Sequence, residues 1–265
     1  MKPRSLTRRF VGIAAVVLLA PSLASAADVH VMISAGFYGV YAELVERFEH
    51  ATGHRLITAR GPSMGDSPEA IPARLARGET ADVVIMIGEA ADELTTEGLV
   101  RAGSRVDLAL SHIGMVVHAE ATPPDISTVE AFRRVLLAAE SIGHSDSASG
   151  TYLSTILFAQ LGIEDQVAGK SRRVRGPPSG EPVAAIVARG EATIGFQQVS
   201  ELIHVPGVTF VGEIPAELQP ETIFVGAITS AAQQPGAARE LLNFLASPEW
   251  ESMLLETGLT PPERR

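Results

Sequence analysis

The chain contains no cysteine, so disulfides and thiolate metal sites are excluded, although an oxidising compartment remains compatible with the composition. Beyond the first 26 residues, no apolar run approaches the roughly 20 residues that a membrane-spanning helix needs. There is no low-complexity tract and no repeat with a period of about 20 to 50 residues, which excludes solenoids and propellers. No histidine and carboxylate cluster has metal-ligand spacing, so neither a metal nor another cofactor is expected. Positive charge is also short: 21 Lys and Arg stand against 31 Asp and Glu, a net −10. Such a chain has no electrostatic case for binding nucleic acid.

What is present is an ordinary globular composition, 265 residues with 46% hydrophobic and 20% charged, enough for one large or two modest domains. The N-terminus reads as a cleavable export signal, residues 1–26. Lys2, Arg4, Arg8 and Arg9 form a basic region, Val11 to Leu19 an apolar one, and Ala24-Ser25-Ala26 a small-residue cleavage site. Cleavage removes those four cations and no acid, taking the formal charge from −10 to −14. Arg8-Arg9 leaves both the general and the twin-arginine export routes open. The expected location is the periplasm.

The mature chain alternates strand and helix patterns. Val29 to Ser34 predicts a strand, followed by a helix with Val40, Leu44, Val45 and Phe48 on one face and Gly53 as its stop. Arg55 to Ala59 predicts a strand, Glu69 to Arg77 a helix, and Ala81 to Ile87 a strand apolar enough to be buried on both faces. A second block follows from about Leu108. It has strands at Ile113 to His118, ending at Ile142-Gly143, and at Thr193 to Phe196. Its helices are Val129 to Ala138, Tyr152 to Leu161 and Glu181 to Arg189. Ile223 to Thr229 predicts a strand, and helices around Ala237 to Leu245 and Pro248 to Leu255 close the chain. Lys170 to Arg175 reads as a solvated basic loop. Two α/β blocks with short links imply a cleft between them.

Gly61-Pro62-Ser63-Met64-Gly65 matches the GxSxG pattern of serine-hydrolase elbows. An elbow needs a helix starting directly after the serine, and Pro68 and Pro72 push the helix away. His112, His118, His144 and His204 are available as bases, but none has a recognisable setting. The pattern therefore argues against a nucleophile at Ser63.

Four small or hydroxyl-rich loops each follow a strand and feed a helix: Ser34-Ala35-Gly36, Gly61-Pro62-Ser63, Ser145-Asp146-Ser147-Ala148-Ser149-Gly150, and Ser179-Gly180 before Glu181. Each alone is a helix cap. Together, on both blocks, they predict a shared site for a small anion, bound by backbone amides at helix N-termini.

At these residues the chain resembles the periplasmic molybdate-binding proteins. The likeness runs through Phe48-Glu49-His50-Ala51-Thr52-Gly53, Gly78 to Ile85, Leu161-Gly162-Ile163, Gly190 to Phe196 and Phe244-Leu245-Ala246-Ser247-Pro248. It implies a two-lobed α/β fold of the type II periplasmic binding proteins, with mixed, mostly parallel sheets and a ligand cleft between lobes that close about a hinge. It puts one lobe at 27–108 plus 232–265 and the other at 109–231. Ligand-holding positions of the family fall on Ser63, near Ser149 and Gly150, and near Gly180 and Glu181, with Ser147 of the same third loop a further candidate. Two hydroxyl positions of the family fall on Gly36 and Gln198, where the match breaks. Arg60, beside Ser63, offers the bidentate fork suited to a carboxylate, or else pairs with an acid such as Asp66.

The primary expectation is thus a monomeric solute-binding protein that captures a small anion, an oxyanion or an organic carboxylate, for the permease of an ABC transporter. The alternative is an enzyme, because aconitate isomerase resembles the same binding proteins. An allylic proton shift would need an acid/base group, for which Asp146 and His144, with Glu181 a further candidate, are the residues in reach of the third loop.

Overall fold

A computed structural model describes residues 26–263. The expected export signal lies outside the described residues apart from Ala26. Among the described residues no helix is long and apolar enough to cross a membrane.

The first strand, β1 (Asp28–Ile33), runs into α1 (Ala35–Thr52), which buries Val40, Tyr41, Leu44 and Phe48 along one face. Gly53 stops the helix in the left-handed region at φ 76, its N–H donating to the Glu49 carbonyl, a conformation that glycine adopts without strain. Next come β2 (Arg55–Arg60), α2 (Ile71–Ala76), β3 (Val83–Ile87), α3 (Gly88–Thr96) and β4 (Val106–Ser111). The second half has β5 (Ile113–His118), α4 (Val129–Ala138), β6 (Ile142–Ser145) and α5 (Ala148–Tyr152). A π-helical turn, Leu153–Leu157, joins α5 to α6 (Phe158–Gln160). Then follow α7 (Glu164–Ala168), β7 (Ser171–Val174), α8 (Val183–Ala188), β8 (Ile194–Gln198), a 3-10 turn at Val199–Glu201 and β9 (Val208–Glu213). Finally β10 (Thr222–Ile228), α9 (Pro235–Leu245) and α10 (Glu251–Glu256) close the chain.

The strands form two five-stranded sheets, ordered β2-β1-β3-β10-β4 and β7-β6-β8-β5-β9. In each sheet one strand runs antiparallel to both neighbours, β10 in the first and β5 in the second, and the remaining pairs are parallel. Those two are the strands the chain enters directly after crossing from the other sheet. The β-α-β units deliver parallel neighbours, and the crossings deliver the antiparallel ones.

The expected lobe boundary needs correction here. Placing residues 109–231 in the second lobe assigns β10 to the wrong sheet. Its partners are Val83 to Ile87 on one side and Val106 to Ser111 on the other. The crossings therefore fall at His112 and between Glu213 and Thr222. An apolar strand pattern announces a buried strand but not its partner, and Phe224, Val225, Ala227 and Ile228 pack with the first core. The basic stretch Lys170 to Arg175 is also not a loop. Its centre is β7, an edge strand paired in parallel with β6, with Val174 buried and Arg172 and Arg173 exposed. Charged side chains on an edge strand discourage further pairing and hide the strand from an apolar pattern.

One core surrounds the first sheet, with Phe37, Phe48, Ile85 and Leu242 among its buried members. The second sheet is covered on both faces. Phe132 meets Phe196 edge-on at 5.8 Å on one side, and Val183, Ile186 and Val187 of α8 pack on the other.

Candidate functional site

The carboxyl ends of β1, β2, β6 and β8 face each other across the junction of the sheets, where open α/β sheets place their ligands. Between them lies a narrow cleft. Its walls carry Ser34 and Gly36 from the first loop and Arg60 and Ser63 from the second. Asp146, Ser147 and Ser149 come from the third, and Gln198 and Glu201 from the end of β8 and the turn after it. The two lobes touch around this space. The Ser200 hydroxyl donates to the Gly36 carbonyl at 2.7 Å, Arg173 pairs with Asp66 at 2.6 Å, and Ser179 donates to Glu69 at 2.5 Å.

Unpaired donors mark this cleft. Among the described residues, four buried side-chain polar atoms lack a hydrogen-bond partner: Ser34 Oγ, Arg60 Nε, Gln198 Nε2 and Ser171 Oγ. The first three belong to residues that line the cleft. All three can donate. A buried donor left unpaired costs about 1–3 kcal/mol, so three in one place point to an acceptor-rich, anionic ligand. The surroundings fix their orientation. Gln198 Oε1 accepts the Ser111 hydroxyl at 2.7 Å, so its amide nitrogen must take the other direction. The Arg60 guanidinium lies 4.1 Å over the Tyr38 ring, which holds its plane. Asp66 does not pair with Arg60, because it is taken by Arg173, whose guanidinium keeps the Asp66 carboxyl below the usual carboxylate range.

Ser63 is buried, and its Oγ accepts the Ile87 N–H at 3.2 Å. The helix after it begins only at Ile71, and no histidine lines the cleft, so the geometry of a nucleophile elbow is absent. The hydroxyl hydrogen stays available to donate. Gly36 sits against Phe224: a Cβ there would lie 2.3 Å from the ring Cζ. Position 36 is thus closed to any side chain, and the first-loop hydroxyl is that of Ser34. Gly36→Ser is expected to destabilise the fold by about 1–3 kcal/mol through overpacking, read from a thermal or urea melt.

The third and fourth loops depart from the expected arrangement. Gly150 does not line the cleft. Its N–H donates to Ser145 Oγ at 3.1 Å, and that hydroxyl lies 3.0 Å from the Ser149 hydroxyl. Gly180 and Glu181 are also outside it. Their amides donate to the carbonyls of Gly176 and Arg175, and the Glu181 carboxylate is paired with Arg189 at 2.7 Å. Gly176 and Pro177 take their place in the wall. A short turn can satisfy its own amides, and neither residue type nor spacing reveals that it does.

Of the proposed acid/base residues, His144 is buried beneath the loop rather than in the cleft. Its Nδ1 lies 3.2 Å from the Ser145 carbonyl, and burial above all pulls its pKa down. Asp146 does line the cleft, with Oδ1 accepting the Gly176 N–H at 3.1 Å.

A residue missed by the sequence reading is Glu201. Burial raises its pKa to about 7; Arg60 and a hydrogen bond from Gln197 oppose that rise, and Asp146 adds to it. A carboxyl balanced near neutrality in a cleft between two lobes is suited to taking up and returning a proton. The only hint in the sequence is its place three residues after Gln198, where the strand ends.

The fold and the cleft define a two-lobed binding protein of type II, and the comparisons with known proteins agree. The chain belongs to the bacterial extracellular solute-binding protein family, whose model matches residues 29–260. It is 48% identical over 231 residues to an aconitate isomerase from Pseudomonas sp, covering 87% of each chain. It is 27% identical over 240 residues to the molybdate-binding protein ModA of Azotobacter vinelandii, covering 89% of this chain and 90% of that one. Among solved structures, the Azotobacter vinelandii periplasmic molybdate-binding protein superposes with a TM-score of 0.70 at 20% identity, over 89% of this chain and all of that one. That last likeness concerns the fold alone.

Proposed function

We propose that the protein is an exported aconitate isomerase, interconverting trans- and cis-aconitate by an allylic proton shift within the cleft. The observation that carries this reading is Glu201, a carboxyl with a pKa of about 7 among three unpaired donors. The 48% identity to an aconitate isomerase supports it. Arg60, Ser34 and Gln198 would hold the carboxylates of the substrate, with the Ser63, Ser147 and Ser149 hydroxyls beside them. Ionised Glu201 then takes a proton from the methylene carbon between a carboxylate and the double bond. The electron pair spreads over the allyl system and its carboxylates, where Arg60 offsets the charge. Glu201 returns the proton to the far carbon and the double bond shifts. Atoms balance without a co-reactant, and no cofactor is needed.

The family favours a second reading, capture of a small anion in the periplasm for an ABC permease. Incubation of the purified protein with trans-aconitate, followed by chromatography, tests the two readings. Formation of the cis isomer supports the enzyme. Tight binding without conversion would leave the binder.

A further inference from the structure

Gln197 precedes Gln198 on β8, is buried, and makes two hydrogen bonds with its side chain. Its Oε1 accepts the N–H of Val183, the first residue of α8, at 3.0 Å. That contact decides the orientation of the carboxamide, because only the oxygen can accept from an N–H. The amide nitrogen is thereby directed at Glu201, and it donates to Oε2 at 2.5 Å. Oε2 is the only atom of the Glu201 carboxyl with a hydrogen bond among the described residues, so Oε1 is left to exchange a proton.

Resting on the isomerase reading, we propose that Gln197 is a positioning residue: clamped by the start of α8, its carboxamide pins one oxygen of Glu201 and presents the other to the substrate carbon. The helix serves as an anchor for the acid/base group, and a glutamine serves as the strut. The charged groups facing Glu201 from other elements are Arg60 at the end of β2 and Asp146 in the loop after β6, which act on it with opposite signs. Gln197 is the uncharged third influence. A donor to a carboxylate oxygen favours the ionised form, so its loss moves the titration of Glu201 upward.

Two variants test this. Gln197→Met keeps the length of the side chain and removes both contacts. Val183→Pro removes the clamping N–H, at a first helical position and after a Pro182 whose ψ of 149 suits a following proline, and also replaces a buried valine that packs on the second sheet, so its melting temperature is read alongside. The primary readout is the carboxyl ¹³C titration of Glu201, assigned by its disappearance in Glu201→Gln. The second is the pH dependence of kcat/KM on trans-aconitate.

In Gln197→Met the titration midpoint is expected to rise. kcat is expected to fall on the order of tenfold to a hundredfold, with KM within about twofold, as for a misplaced reacting group. Val183→Pro is expected to shift both in the same direction by less. A buried glutamine with a merely structural role would lower the melting temperature and leave both midpoints in place, and that result overturns the proposal. If the titration moves while the wild-type protein does not isomerise aconitate, the hold of Gln197 on Glu201 stands and the isomerase reading falls.

Discussion

Glu201→Gln is expected to lower kcat for aconitate isomerisation by roughly 10² to 10⁴, the range that general acid/base catalysis supplies. Binding of the saturated analogue propane-1,2,3-tricarboxylate should change little, because glutamine keeps the shape and the hydrogen-bonding reach of the side chain. In the wild-type protein kcat/KM should climb as pH rises through about 7, where the free carboxyl ionises, and level off above it. The same substitution should alter stability with a definite sign. The folded-state pKa lies above the ordinary value of 4.5, so the contribution of Glu201 to stability is complete below 4.5 and lost as pH rises through about 7. Urea melts at pH 5 and pH 8 should show Glu201→Gln gaining on the wild-type protein at the higher pH. A residue kept in the cleft at a cost in stability is what a functional carboxyl looks like.

Arg60→Ala carries the second large effect. It removes a guanidinium whose Nε has no protein partner and whose plane is set by Tyr38. A hydrogen bond to a charged group contributes about 1.5–3 kcal/mol, so tricarboxylate binding by calorimetry should weaken roughly tenfold to a hundredfold. Arg60→Lys should recover only part of the loss, since it keeps the charge without the planar fork. Arg60 also favours ionised Glu201, so the midpoint of kcat/KM should move upward in both variants, and further in Arg60→Ala. An unchanged affinity would remove Arg60 from the ligand site.

The sequence was most legible where one segment carries its own reason. The buried face of α1 and its glycine stop, the fully apolar β3, and the loops at Ser34 and Ser63 follow from local pattern and turn chemistry. Arg60 and Ser63 stood out for the same cause, a donor next to a small-residue turn at a strand end. What escaped depends on partners far along the chain. The sheet that takes β10 is set by its pairing with β3 and β4 and its packing against α3 and α9, which its own pattern does not name. The β7 strand carries three polar residues and a single buried valine, too little for a pattern. The helix α3 buries mainly small residues, Gly88, Ala90 and Ala91, with Leu94 its one large apolar anchor. Glu201 is ordinary in sequence and becomes distinctive only because Arg60, Asp146 and Gln197 meet it in space. Gly150 and Gly180 failed in the opposite way. Their spacing promised free amides, and the folded turns consume them.

The central claim is that Ser34, Arg60 and Gln198 direct their unpaired donors at the carboxylates of one organic acid. A crystal structure of the protein grown with propane-1,2,3-tricarboxylate tests it most directly. The expected result is the analogue in the cleft, with carboxylate oxygens within hydrogen-bond distance of Ser34 Oγ, Arg60 Nε and Gln198 Nε2 and its carbon chain beside Glu201. A cleft without the analogue at saturating concentration, or an analogue held by other residues, would contradict the account.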